Sequence, residues 1–163
     1  MTTMCIAAAN YLINRTNEFN KGRQCAERIF MTCKRLQKLL YFSDVEYMRR
    51  NDGQSMFEDD FFAWASGPVI PSVYNRFAHF QCGRMEPLTG EYTPLTLKMQ
   101  EALDEIFERS VFIDTFDLVE ESHALNGPWM LVYNQEKSWQ EQKISKESIY
   151  MFYKNRVPLG VVL

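Results

Sequence analysis

A chain of 163 residues, 46% apolar and 14% aromatic, is long and apolar enough to bury about two-thirds of its unfolded surface. That excludes a disordered segment and fits one globular domain spanning 1–163. A net charge of −3 and an isoelectric point near 5.5 argue against a dedicated nucleic-acid binder, which would carry a basic stripe. With no basic-then-apolar leader and no apolar run of about 18 residues, the chain reads as cytoplasmic, with no membrane partner.

Ile6, Ala9, Leu12 and Ile13 recur at helical spacing and predict a first helix over 3–16. Asn17 to Arg23 reads as a loop broken by Gly22, and 25–30 as an ambiguous turn. A second helix is predicted from Thr32, its N-cap, to Arg50. Leu36, Leu39, Leu40, Phe42, Val45 and Met48 spread over more than one face, which places this helix at the centre of the core. Lys34, Arg35, Lys38, Arg49 and Arg50 are assigned to its wet side. Asn51-Asp52-Gly53 ends it, with Gly53 as the left-handed cap.

Residues 57–64 suit a short strand or extended segment. Pro68 and Pro71 push the residues before them out of helical angles, and Pro71 fits the first position of a helix reaching Phe77 or Phe80. The connection over 81–94 has room for a small hairpin at Thr89-Gly90. The next helix opens at Thr93 or Thr96 and runs to Arg109, with Leu97, Met99, Leu103, Ile106 and Phe107 inward. Asp114 or Thr115 caps a shorter helix holding Phe116, Leu118 and Val119. Asn126-Gly127-Pro128-Trp129 starts another, ending near Asn134. After a polar stretch, Ser145 opens the last helix, to Asn155, with Ile149, Phe152 and Tyr153 inward. The predicted fold class is mainly α: a compact single-domain helical bundle with at most a small β element.

The run Lys34 to Phe42, followed by Phe62-Ala63-Trp64, Gly67-Pro68-Val69, Pro71 and Val73-Tyr74, resembles the Panacea antitoxin domain of the SocA/GepA-like phage-associated proteins. Glu120 to His123 with Pro128-Trp129, and the closing Ile144 to Tyr153 helix, extend the resemblance, which is strongest over 32–155. Ser66 departs from it, standing where an aromatic is usual, and 14–32 is longer than the pattern. The motif core in this chain is Leu36, Leu39, Leu40, Trp64, Gly67, Pro68, Val69, Pro71, Tyr74, His123, Pro128 and Trp129. The resemblance implies an antitoxin-like binding module. Such a protein neutralises a cognate toxin by direct contact, or hands it to protease machinery as an adaptor.

Other constellations read as structure before chemistry. Four cysteines (Cys5, Cys25, Cys33, Cys82) and two histidines (His79, His123) lack metal-ligand spacing, so no metal or cofactor is expected. His123 beside Glu120 and Glu121 has the ingredients of an acid–base site. Without a nucleophile motif, it reads better as a helix-terminal histidine. Trp64, Tyr74 and Phe77 suit a core corner, leaving Ser66, Ile70 and Ser72 as exposed contact candidates. The acidic run from Glu101, with Asp104, Glu105 and Glu108, is a candidate docking face for a basic partner. Gly67-Pro68 and Gly127-Pro128 lack the glycine spacing and lysine of phosphate loops. The leading expectation is a non-enzymatic protein-binding module. A small enzyme using His123 and an operator-binding autoregulator are the alternatives.

Overall fold

The computed structural model describes residues 4–80 and 84–160. In chain order it holds α1 (Met4–Asn20), a 3-10 turn (Cys25–Glu27), α2 (Cys33–Arg50), β1 (Phe61–Trp64), β2 (Gly67–Val69) and α3 (Pro71–Phe77), which continues as a 3-10 turn to Phe80. Then follow α4 (Leu97–Ser110), α5 (Thr115–Ser122), α6 (Pro128–Val132), a 3-10 turn (Trp139–Glu141), β3 (Lys143–Ile144) and α7 (Lys146–Tyr153). The protein is mainly α with one small antiparallel sheet, ordered β2-β1-β3.

Helix α2 is the hub, packing against α1, α3, α4, α5, α7 and β2. Thr32 caps it, its hydroxyl accepting from the Arg35 N–H at 3.1 Å. At the other end the Gly53 N–H reaches back to the Met48 carbonyl at 2.8 Å, and both Asp52 and Gly53 have positive φ. The left-handed turn is thus shared by two residues where Gly53 alone was expected. Leu36, Leu39, Leu40, Phe42, Val45 and Met48 are all buried, as are Tyr41 and Tyr47.

Because α2 is covered on every side between Arg35 and Met48, the polar residues of that stretch are buried too, and the expected wet side is partly wrong. Arg35 and Lys38 are interior, not exposed. Arg35 donates to the carbonyls of Ser110 (2.9 Å) and Ile113 (2.8 Å), which braces the turn between α4 and α5. Asp44, fully buried, accepts from the Met56 N–H and the Ser55 hydroxyl, both at 2.7 Å, and pairs with Lys146 at 3.1 Å. That ties α2, the turn at 55–57 and α7 together.

Several boundaries moved. Helix α1 runs to Asn20, past the expected end at Thr16, because the Asn20 side chain exchanges two hydrogen bonds with the Ile29 backbone. The tight bend is the turn of a hairpin in which Trp64 faces Gly67, with Ala65 and Ser66 between them. Thr89-Gly90 forms no hairpin; neighbouring Leu88 is held instead by both ends of the Asn10 amide. Leu97, expected inward, is exposed in the first turn of α4, and Ala102 joins the buried face instead. Gln81, Cys82 and Gly83, the start of the predicted connection, lie outside the described residues.

Candidate functional site: the paired Gly-Pro corners

Four segments distant in sequence meet beneath the β1–β2 turn. Lys38, on α2, has no surface open to solvent, and its Nζ donates to the Pro68 carbonyl at 2.6 Å. The preceding residue, Gln37, donates to the Ile70 carbonyl (3.2 Å) and accepts from the Ile70 N–H (2.9 Å), pairing both backbone groups of an extended residue. Gly67 closes over this amine. Its φ of +111° favours glycine, and a Cβ there would stand 2.5 Å from Ser122 Oγ and 2.8 Å from Lys38 Cε.

The second corner is bonded to the first. His123 caps the C-terminus of α5, its N–H reaching the carbonyls of Glu120 and Val119. Its ring stacks on Trp129 with centroids 3.6 Å apart and planes 9° apart, and Trp129 stacks in turn on Tyr133. Trp129 also donates Nε1–H to the Trp64 carbonyl at 2.7 Å. The Pro128 helix is therefore hung from the strand that leads into Gly67-Pro68. Outside this clamp, Trp64 meets Tyr74 edge-on at 5.0 Å and Trp139 at 5.6 Å, and Trp139 meets Phe62 at 5.2 Å.

Burial decides the electrostatics. It pushes the Lys38 ammonium down from its ordinary 10.5 to about 7, with Lys34 adding repulsion. Burial also lowers the His123 imidazole; Lys38 lowers it further, while Glu120 opposes the shift. A neutral lysine amine is a nucleophile in principle. Here it is enclosed by Pro68, Gly67 and Ser122, and the Ser122 hydroxyl is itself donated to the Val119 carbonyl at 2.7 Å.

A family model described as "Antitoxin SocA-like, Panacea domain" matches residues 36–130, more than half of the chain. The chain belongs to the SocA-like Panacea family. Antitoxin SocA of Caulobacter vibrioides (strain NA1000 / CB15N) is 29% identical over 110 residues, covering 61% of this chain and 58% of that relative. The chain thus spans less than two-thirds of the relative's length. No solved structure matches. The Panacea match contains Lys38, Gly67, Pro68, Ser122, His123 and Trp129, so the clamp, Tyr133 apart, is built from the family region.

The Panacea motif residues come together, whereas the contact candidates divide. Ser66 lies half-buried in the hairpin turn, and exposed Ser72 donates to Asp59 at 3.3 Å. Ile70 is a correction: it is fully buried, and both its backbone groups are taken by Gln37, so it cannot meet a partner. On α4, Asp104 pairs with Arg15 at 3.1 Å and accepts from Tyr11 at 2.7 Å. Glu105 pairs with Arg109 at 2.8 Å, and Glu108 lies 3.9 Å from Arg15. Tertiary packing supplies the Arg15 partner that sequence neighbours did not. Glu101 is exposed and makes no ion pair among the described residues. Sequence reasoning missed Gln37, Lys38, Ser122 and Trp139. For the first two, the signal was an apolar pattern too wide to leave α2 a wet face.

Proposed function

We propose that this chain is an antitoxin that neutralises a toxin by covering it, with the paired corners as its rigid frame and no bond chemistry of its own. The observation that carries this reading is the enclosure of Lys38. The buried amine of the motif cluster is spent on the Pro68 carbonyl, with Gly67 and Ser122 filling the space a substrate would need. Family membership supports the antitoxin role. Stacked rings and bonded corners are a way to hold a contact surface without an ordering cost on association. Ser66, Ser72 and Glu101 remain the contact candidates around that frame. No described helix is long and apolar enough to cross a membrane.

Co-expression tests the reading. The reading frame beside this one is expressed alone and together with the whole chain, and growth is followed. Expected is arrest alone, relief together, and co-elution of the two proteins on size exclusion. Relief with the toxin unbound but its half-life shortened would favour delivery to a protease. Relief with an unbound, chemically altered toxin would sink the binding account.

A further inference from the structure

A cavity of about 930 Å³ lies between the C-terminal half of α1, the segment 28–34 and the end of α3. Ile29, Met31, Phe80 and Met85 supply apolar surface, and Phe30, 70% exposed, stands at its edge. Its other charged lining residues are all cations: Lys21, Arg28, Lys34 and Arg84. Lys21 and Arg84 have carboxylate neighbours in Glu18 and Glu86. Arg28 and Lys34 make no ion pair among the described residues. In a chain whose net charge is −3, a groove lined by cations and no acid is a local device, not an average property.

The groove is also preformed. Asn20 grips the Ile29 backbone at 2.9 and 2.8 Å, Arg28 Nε donates to the Arg23 carbonyl at 2.7 Å, and Cys33 Sγ donates to the Phe77 carbonyl. Its size falls within the range of real ligand sites, about 300–1,000 Å³. Tyr74 lines it and also meets Trp64, so the groove adjoins the aromatic side of the first corner. Its other wall, residues 16–34, precedes the family match at 36–130.

We propose that this groove is where the toxin docks, and that it takes an acidic segment bearing one or two large apolar side chains. The inference rests on the antitoxin reading. Apolar side chains of the segment enter the floor, and its carboxylates meet Arg28 and Lys34 at the rim, speeding encounter and fixing orientation. The wall outside the family match is the part free to set which toxin is taken.

The test does not need the toxin. Random 16-residue peptides displayed on phage are panned against the immobilised whole chain, and recovered peptides are titrated by fluorescence anisotropy. Expected is enrichment of Asp and Glu interspersed with Leu, Phe or Trp. The double variant Arg28→Glu, Lys34→Glu should bind them about tenfold or more weakly, two reversed charge contacts being worth that much. Lys34→Glu places a carboxylate in the first turn of α2, where it is tolerated, and an unchanged melting temperature checks folding. Phe30→Ala serves as a second, uncharged variant with the same expected loss. The inference is overturned if recovered peptides show no acidic bias, if they bind both variants as tightly as the parent, or if none is recovered. It is also overturned if the variants abolish self-association on size exclusion, for then a second copy is the occupant. Peptides that bind as expected in a chain that fails to relieve toxicity would leave the groove intact and sink the antitoxin reading.

Discussion

Single residues carry the clamp, and two of them give separable predictions. Gly67→Ala adds a Cβ at positive φ and drives it into Ser122 Oγ and Lys38. Strain and overlap together should cost about 3 kcal/mol or more, read as a lowered urea midpoint at unchanged slope. Lys38 makes its own prediction in pH. Its folded value of about 7 lies below the ordinary 10.5, so between those values the unfolded chain binds the extra proton. Stability therefore rises with pH across that window and is flat with respect to this group below about 7. In Lys38→Met that contribution vanishes. Parent minus variant stability should climb by up to about 1.4 kcal/mol per pH unit between pH 8 and 10. Parallel curves would mean that the amine is not buried as described. Lys34 and His123 are the titratable neighbours coupled to Lys38, and His123 is already neutral in this range because its value is lowered.

At the scale of elements, caps were the most legible feature because each is a local bargain between one side chain and one N–H. Thr32, Thr96, Asp114 and Ser145 all accept from the residue three positions on, as their types suggest. Thr32→Ala should cost about 1 kcal/mol, seen as a lower melting temperature without loss of cooperativity. The hairpin was half legible. Aromatic residues and Gly67-Pro68 marked an extended stretch and a bend, but the partner strand β3, only Lys143 and Ile144, is too short to declare itself by alternation. The joint between corners was not legible at all, since it rests on Trp129 reaching the Trp64 carbonyl across 65 positions. Trp129→Phe keeps a ring for His123 to stack on but removes that donor. A loss of about 1–2 kcal/mol, read from a urea titration, is the expected result. Unchanged stability would show that the bond is dispensable.

For the whole molecule, fold class and family were readable because the wide apolar pattern of α2 and the proline-marked turns are properties of short stretches. What sits around α2 was not. Lys38 looked like a surface residue because it is charged and Lys34 and Arg35 lie one turn before it, yet α5 and β2 both close over it. The acidic face of α4 looked unpaired because Arg15 lies on another helix. Assembly thus turned an apparent basic patch into an interior brace and an apparent docking face into a partly paired one. The central claim that follows is that the motif residues hold shape and do not perform a reaction. His123→Ala tests it most directly, with three readouts on one protein: melting temperature, toxin affinity and relief of growth arrest. The account predicts that all three fall together, because removing the ring stacked on Trp129 loosens the frame that presents the contact surface. A variant that melts like the parent, binds toxin with the parent's affinity and yet no longer relieves growth arrest would contradict it.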